Sequence, residues 1–261
     1  MHNPLLAKAI WQHLPETYRL RLASIDVIDC LDSTQTWLDQ QLPTLQREWR
    51  LCAAVQQKAG HGRQDRVWLS GSGQVAFSWR GWVAVEPEYV GLFSLNAALA
   101  VQSALITLGV SQVQLKWPND IYIADRKLAG MLTTVVQRRG HLCDVILGIG
   151  LNRLSIALPS EAIALEGKIA RLPSVAELIA AISHQWLRRL DALSSAHGRA
   201  EIREAWLSSA LWLGLPIKVW QGNQSVEGIW LGITDRGALR LATNTGEQVF
   251  MADEVKLRPL D

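Results

Sequence analysis

Apolar and polar positions along this chain fall into three textures. At the N-terminal end, residues 5–14 and 33–42 show helical spacing, with Trp37, Leu38 and Leu42 on one face and Ser33 or Thr34 placed to cap the second helix. In the middle, short apolar runs alternate with tight turns. Leu51–Gln56 and Val75–Trp79 read as strands on either side of a glycine-rich loop from Lys58 to Gly73. A long Ala- and Leu-rich helix spans Tyr89–Leu108 and stops at Gly109. Val113–Leu115, Ile121–Ala124, Leu128–Gln137 and Leu142–Gly148 read as further strands, with turns at Asp125-Arg126 and Arg138-Arg139-Gly140. Such short turns force antiparallel pairing, because a parallel pair needs a crossover of about a dozen residues.

A capping-box pattern, Ser174-Val175-Ala176-Glu177, opens a helix through Leu190, and another covers roughly 199–207. Beyond Gly214 the texture changes to five short strands: Ile217–Trp220, Val226–Ile233, Ala238–Ala242, Val249–Met251 and Val255–Leu257. Gly222-Asn223, Asp235-Arg236-Gly237 and Thr245-Gly246 supply their turns. The expected fold is α+β: a mainly antiparallel or mixed sheet with packed helices (residues 1–212, with a short helical segment at 1–24), followed by a small SH3-like β-barrel (213–261).

The chain has 261 residues, 49% of them hydrophobic and 19% charged, enough to bury a sizeable core and too apolar for disorder. A net charge of +2 speaks against a surface built for nucleic-acid backbones. Cys30, Cys52 and Cys143 are scattered and without ligand spacing, which predicts reduced, mostly buried thiols rather than zinc or disulfides, as in the cytoplasm. Neither a signal peptide nor an apolar membrane-spanning run is evident. Of the twelve tryptophans, most are expected in the core.

Three segments carry candidate chemistry. In Gln57-Lys58-Ala59-Gly60-His61-Gly62-Arg63-Gln64-Asp65-Arg66-Val67-Trp68, glycines permit close backbone approach and the cations suit an anion, although an exposed surface loop would look similar. Lys116-Trp117-Pro118-Asn119-Asp120, followed by Arg126-Lys127-Leu128-Ala129-Gly130, is either a plain turn or a way of presenting two lysines and a carboxylate to one site. Such a trio suits a reaction between two anions, with the aspartate able to help hold a magnesium ion. Gly148-Ile149-Gly150-Leu151-Asn152 ends an apolar strand, where glycines more often mark a bulge or a close backbone crossing.

The order of these segments (Ser-Thr helix start, Gly/Arg loop, KWPND, RKLAG, GIGLN, small barrel) resembles the biotin protein ligases over nearly the whole chain from about Ile25. The resemblance implies a class II synthetase-like ligase core and an enzyme, a biotin–[biotin carboxyl carrier protein] ligase. It implies activation of biotin by ATP and Mg2+ to biotinyl-5′-AMP, then transfer to a lysine of the carrier protein of a biotin-dependent carboxylase. It also implies residue roles: Ser33, Thr34, Gln57, Gly60, Gly62 and Gly130 near biotin, and Lys127 on both the biotin carboxylate and the phosphate. Arg63, Trp68, Lys116, Asn119, Asp120, Asn152 and Arg258 fall on the ATP side, with Asp120 as the magnesium ligand and Glu254 beside Arg258 reaching back to the nucleotide. A solvated surface pair is an equal reading of those last two.

The chain departs from the family pattern at His61, Gln64 and Asp65, where Arg, Arg and Gly are usual, and at Gln35, where Asn is usual. A neutral His61 would weaken phosphate contacts relative to the arginine usual there. About twenty-four residues precede the resemblance, too few for a helix-turn-helix, which points to a ligase without DNA binding. Competing expectations are a lipoate or octanoate ligase of the same fold and a binding protein that does not turn over. Homodimerisation or carrier docking through a strand edge at Leu142–Gly148 is a further expectation.

Overall fold

The computed structural model describes residues 1–42, 48–63, 66–68, 70–71, 73–252 and 255–260. Two sheets organise it. The first has seven strands: β1 (Leu22–Leu31), β2 (Trp49–Gln57), β3 (Val75–Ala84), β4 (Gln114–Lys116), β5 (Asp120–Ile123), β6 (Arg126–Arg139) and β7 (Leu142–Leu151), in the order β1-β2-β3-β7-β6-β5-β4. All neighbours pair antiparallel except β1 and β2, which are parallel, so the sheet is mixed.

Alternation along the central strands separates two faces. In β7, Cys143, Val145, Leu147, Ile149 and Leu151 join the main core. That core is closed by α1 (Pro4–His13), with the one-turn α2 (Glu16–Arg19) after it, and by α4 (Gly91–Thr107), α5 (Val175–Arg189) and α6 (Ala196–Ser208). Helix α4 is buried on nearly every side, as a helix apolar on most of its faces must be. Trp49, Trp79, Trp186 and Phe93 meet edge to face at the centre, with ring centroids 4.8–6.3 Å apart. The opposite face is covered more thinly, by the short α3 (Thr34–Asp39), whose Leu38 packs with Ile28, Cys52 and Ile146 of the sheet.

The second sheet is antiparallel: β8 (Pro216–Gln221), β9 (Gln224–Ile233), β10 (Leu239–Thr243), β11 (Gly246–Phe250) and β12 (Val255–Pro259), in the order β11-β10-β9-β8-β12. The last strand returns to lie beside the first. Trp117 Nε1 donates to Gly237 O at 2.9 Å, tying this sheet to the first.

Several expectations need correction. Strand β1 is absent from the sequence reading, because Asp26 and Asp29 interrupt its apolar run. Ser33 occupies the N-cap of α3 but its side chain makes no capping bond, and Thr34 Oγ1 turns to Gln57 and Ser78 instead. The β5–β6 turn is Ala124-Asp125, both at positive φ (48° and 58°), so Arg126 already belongs to β6. Arg138 and Arg139 likewise lie in β6, and the turn is Gly140-His141. The capping box at Ser174 and Glu177 forms as expected. Cys30 is exposed, whereas Cys52 and Cys143 are buried. Strand β7 sits between β3 and β6, so Leu142–Gly148 offers no free edge.

Candidate active site

A cavity of about 620 Å³ opens on the face of the first sheet that carries α3. Its floor is a place where side chains are missing. Register aligns Ala76, Gly150, Gly130 and Asp120 across β3, β7, β6 and β5, and beside them Ser78, Gly148 and Leu132. A Cβ on Gly148 would sit 2.7 Å from Gln35 Cδ, and one on Gly130 would sit 3.0 Å from Lys127 Nζ. One on Gly150 would collide with the Trp68 indole. These glycines leave room for the groups that face them.

One end of the cavity is polar but uncharged. Thr34 Oγ1 and Ser78 Oγ lie 2.7 Å apart, and the Thr34 amide donates to Gln57 Oε1 at 2.8 Å. Gln35 Nε2 donates to Leu132 O at 3.0 Å. Ser33, Thr34, Gln35 and Ser78 are all buried.

The other end is charged. The Lys116–Asp120 hairpin turns at a cis Trp117-Pro118 peptide and sets Lys116 opposite Asp120. Lys127 Nζ contacts Asp120 Oδ1 at 2.6 Å and lies 5.6 Å from the centre of the Trp68 ring. Trp68 Nε1 is buried and has no hydrogen-bond partner among the described residues. Arg63 Nη1 reaches Asn119 Oδ1 at 3.5 Å, and Asn119 Nδ2 donates to Met131 O. Asn152 Nδ2 donates to Lys127 O at 3.2 Å, locking the start of β6. Arg66 comes from the loop, and Arg258 with Trp220 and Gly222 from the second sheet.

Lys116 is 5% exposed, its ammonium 5.1 Å and 5.3 Å from the ring centres of Tyr122 and Trp212 and 3.2 Å from Tyr122 Oη. Burial pulls its pKa down to about 7, against the pull of Asp120, and Arg258, Lys127 and Arg66 lower it further. Burial pushes Tyr122 up to about 12, with Asp120 adding to the effect.

The glycine loop folds back as a hairpin: Gly62 N donates to Arg66 O at 2.7 Å, Trp68 N to Gly60 O at 2.8 Å, and His61 bridges to Val67. Gly60 does not line the cavity; a Cβ there would press on Trp68 O at 2.7 Å and Gln57 Nε2 at 2.9 Å, so its role is to let the loop close. His61 is exposed at the cavity wall. Gln64, Asp65 and Glu254 lie outside the described residues.

The cavity thus brings together Ser33, Thr34, Gln57, Gly62, Arg63, Trp68, Lys116, Asn119, Asp120, Lys127, Gly130, Asn152 and Arg258, all expected from the sequence. It adds Ser78 and Tyr122, and it brings in Gln35, Gly148 and Gly150, to which the sequence assigned no place in the site. Ser78 had a signal: with Arg80 it interrupts an apolar strand at a spacing of two, which marks one face.

Comparison with known proteins agrees with this geometry. Residues 27–152 match the biotin/lipoate A/B protein ligase family, and residues 213–258 match the biotin protein ligase C-terminal domain. The chain is 33% identical to the biotin–[acetyl-CoA-carboxylase] ligase of Paracoccus denitrificans, over 77% of this chain and 88% of that protein. It is 29% identical to the bifunctional ligase/repressor BirA of Escherichia coli, over 90% of this chain and 74% of that protein. The solved structure of biotin protein ligase from Aquifex aeolicus in complex with biotin and ATP superposes with a TM-score of 0.76 at 24% identity, covering 91% of this chain and 100% of that one, a likeness of fold. By sequence and by fold, the chain belongs to the biotin protein ligase family.

Proposed function

We propose that this protein is a biotin–[biotin carboxyl carrier protein] ligase, and that its cavity aligns biotin with ATP. The observation that carries the reading is the single cavity with an uncharged polar end, a cationic end and Lys127 beside Asp120 in the latter. A neutral ring that needs hydrogen bonds suits Ser33, Thr34, Gln57 and Ser78, with Gly130, beside Lys127, leaving room for the biotin carboxylate. A triphosphate suits Arg63, Lys116, Lys127 and Arg258, with Trp68, Asn119 and Asn152 beside them and Gly62 keeping the loop close.

A carboxylate is a poor electrophile until one of its oxygens joins a good leaving group. Here a biotin carboxylate oxygen attacks the α-phosphorus of ATP, giving biotinyl-5′-AMP and pyrophosphate. The amine of a carrier lysine then attacks the acyl carbon, giving the amide and AMP. Lys127 and Lys116 screen the repulsion between the two anions, and the hairpin loop shields the mixed anhydride from water.

Among the described residues no group of three or more His, Cys, Asp or Glu side chains is placed to hold a metal ion. That fits magnesium arriving on the nucleotide, since this ion takes one or two carboxylates together with phosphate oxygens. Asp120 would hold it, and the ion would offset phosphate charge.

The carrier of a biotin-dependent carboxylase is the partner this reading requires. Beyond Met131, β6 has no strand on its outer side among the described residues, so this edge replaces Leu142–Gly148 as the candidate for strand pairing with the carrier or a second copy. Residues 1–212 act as the ligase core and 213–261 as a unit that brings Arg258 to the cavity. We place the enzyme in the cytoplasm, without a role on DNA. No helix among the described residues is long and apolar enough to cross a membrane.

The test is adenylate formation without carrier. The chain, ATP and magnesium are incubated with biotin, lipoate or octanoate, and acyl-AMP is read by mass spectrometry. Biotinyl-AMP alone supports the reading. Lipoyl- or octanoyl-AMP alone would replace the substrate, and tight biotin binding without any adenylate would leave a binding protein.

A further inference from the structure

The face of β3 that carries Ser78 also carries Arg80, a buried group that the proposed chemistry leaves unused. Its side chain is 3% exposed, and that of its partner Asp144 is 0% exposed. Arg80 Nε and Nη2 meet the two Asp144 oxygens at 3.2 Å and 2.8 Å, and Gln137 Nε2 donates to Asp144 Oδ2 at 3.1 Å. The remaining nitrogen, Nη1, donates to three carbonyls at the end of α3: Leu38 at 2.7 Å, Asp39 at 3.2 Å and Gln41 at 2.8 Å.

A helix end leaves carbonyls without partners and concentrates negative potential there, so a cation is well placed. Helix α3 has six residues, too short to hold itself together, and its Leu38 packs on a cluster with only three buried residues beneath it, Ile28, Cys52 and Ile146. Something else must fix it. Strand β3 grips it at both ends: Ser78 meets Thr34 at the start, and Arg80 takes the carbonyls at the finish. The lengths agree, since six helical residues span about 9 Å and two strand residues about 7 Å. A buried ion pair is seldom worth more to stability than apolar packing of the same volume. The fork of an arginine does what such packing cannot, by binding a carboxylate on one side and a helix end on the other.

We propose that Arg80, oriented by Asp144, is a positioning residue that sets the uncharged end of the cavity by fixing α3, and with it Ser33 and Thr34, against the sheet. The inference rests on the reading that this end takes the biotin ring.

The test uses the full chain, with steady-state carrier biotinylation and calorimetric binding of biotin, for wild type and Arg80→Lys. Lysine keeps the charge opposite Asp144, but its single nitrogen cannot also cap α3. The expected result is a rise of about tenfold in both the KM and the Kd for biotin, with the KM for ATP and kcat at saturating biotin changed by less than about twofold. A double variant, Arg80→Met with Asp144→Leu, removes the pair without stranding a charge and should show the same split; it decides the matter if Arg80→Lys does not fold. An unchanged biotin KM in either folded variant, or biotin and ATP KM rising together, overturns the proposal. A wild-type chain that transfers no biotin would sink the functional reading instead. The anchoring of α3 would then still be read by faster amide exchange in α3 alone on Arg80→Lys.

Discussion

The two ends of the cavity are built on opposite principles. At the uncharged end, room and hydrogen bonds come from absent or short side chains: Gly148, Ser78, Ser33 and Thr34 are supplied by a strand pair and a six-residue helix. At the charged end, Lys116, Asp120 and Lys127 come from one hairpin and the strand after it, with Arg63 and Arg258 brought from the loop and the second sheet. The free energy of binding has a different source at each end. A neutral ring is selected by shape and by the cost of leaving buried hydrogen-bonding groups unpaired, whereas two anions are held together by charges whose own repulsion the fold must tolerate.

The largest effect expected from breaking this contrast is at Lys127. Lys127→Ala should slow single-turnover adenylate formation by about a hundredfold or more, with biotin binding in the absence of ATP changed far less. Equal losses in both would erase the division between the ends.

Lys116→Met comes next. It should raise the KM for ATP about tenfold at pH 6.5 and leave the KM for biotin in place. Its pH dependence sharpens the point. With a pKa near 7, Lys116 is charged below that value and neutral above it, while bound phosphate favours the charged form. The KM for ATP should therefore climb as pH rises above about 7 in wild type, and this component should vanish in Lys116→Met. The same shift acts on stability in a fixed direction. Between about 7 and the unfolded value of 10.5 the unfolded chain binds more protons, so this group makes the fold more stable as pH rises. A urea-unfolding series across that window, comparing wild type with Lys116→Met, checks the sign.

Gly148→Ala probes the other end. Its Cβ would meet Gln35, whose flexible side chain can yield, so a rise of several-fold to about tenfold in the biotin KM is expected with the ATP KM unchanged. The smallest effect lies far from both ends. Ser174→Ala breaks the capping box of α5 and should cost about 1 kcal/mol of stability, measured by denaturant unfolding, with both KM values unaltered.

The same contrast explains what was legible in the sequence. The charged end could be read because its parts are close in the chain. Lys116 to Gly130 spans a hairpin and one turn, and antiparallel pairing puts Asp120 opposite Gly130 without help from the rest of the fold. The uncharged end could be read only in part. Ser33, Thr34 and Gln57 were recognisable, but Ser78 and Gly148 meet through register between strands far apart in sequence, and Gln35 reaches Gly148 only because α3 packs over them. Local patterning says nothing about register. Strand β1 was hidden because Asp26 and Asp29 interrupt its apolar run on both faces, and the position of the β5–β6 turn was decided by two residues at positive φ rather than by composition. The location of β7 in the middle of the sheet was equally out of reach, which is why Leu142–Gly148 read as an edge.

The most direct test of the central claim, that one cavity joins biotin to ATP for transfer to a carrier, is intact-mass spectrometry of a biotin carboxyl carrier domain. The domain is incubated with this protein, biotin, ATP and magnesium, beside a Lys127→Ala control. The carrier should gain the mass of one biotinyl group with the wild-type chain and none with the control. No gain from a folded wild-type protein, or an equal gain from Lys127→Ala, would contradict it.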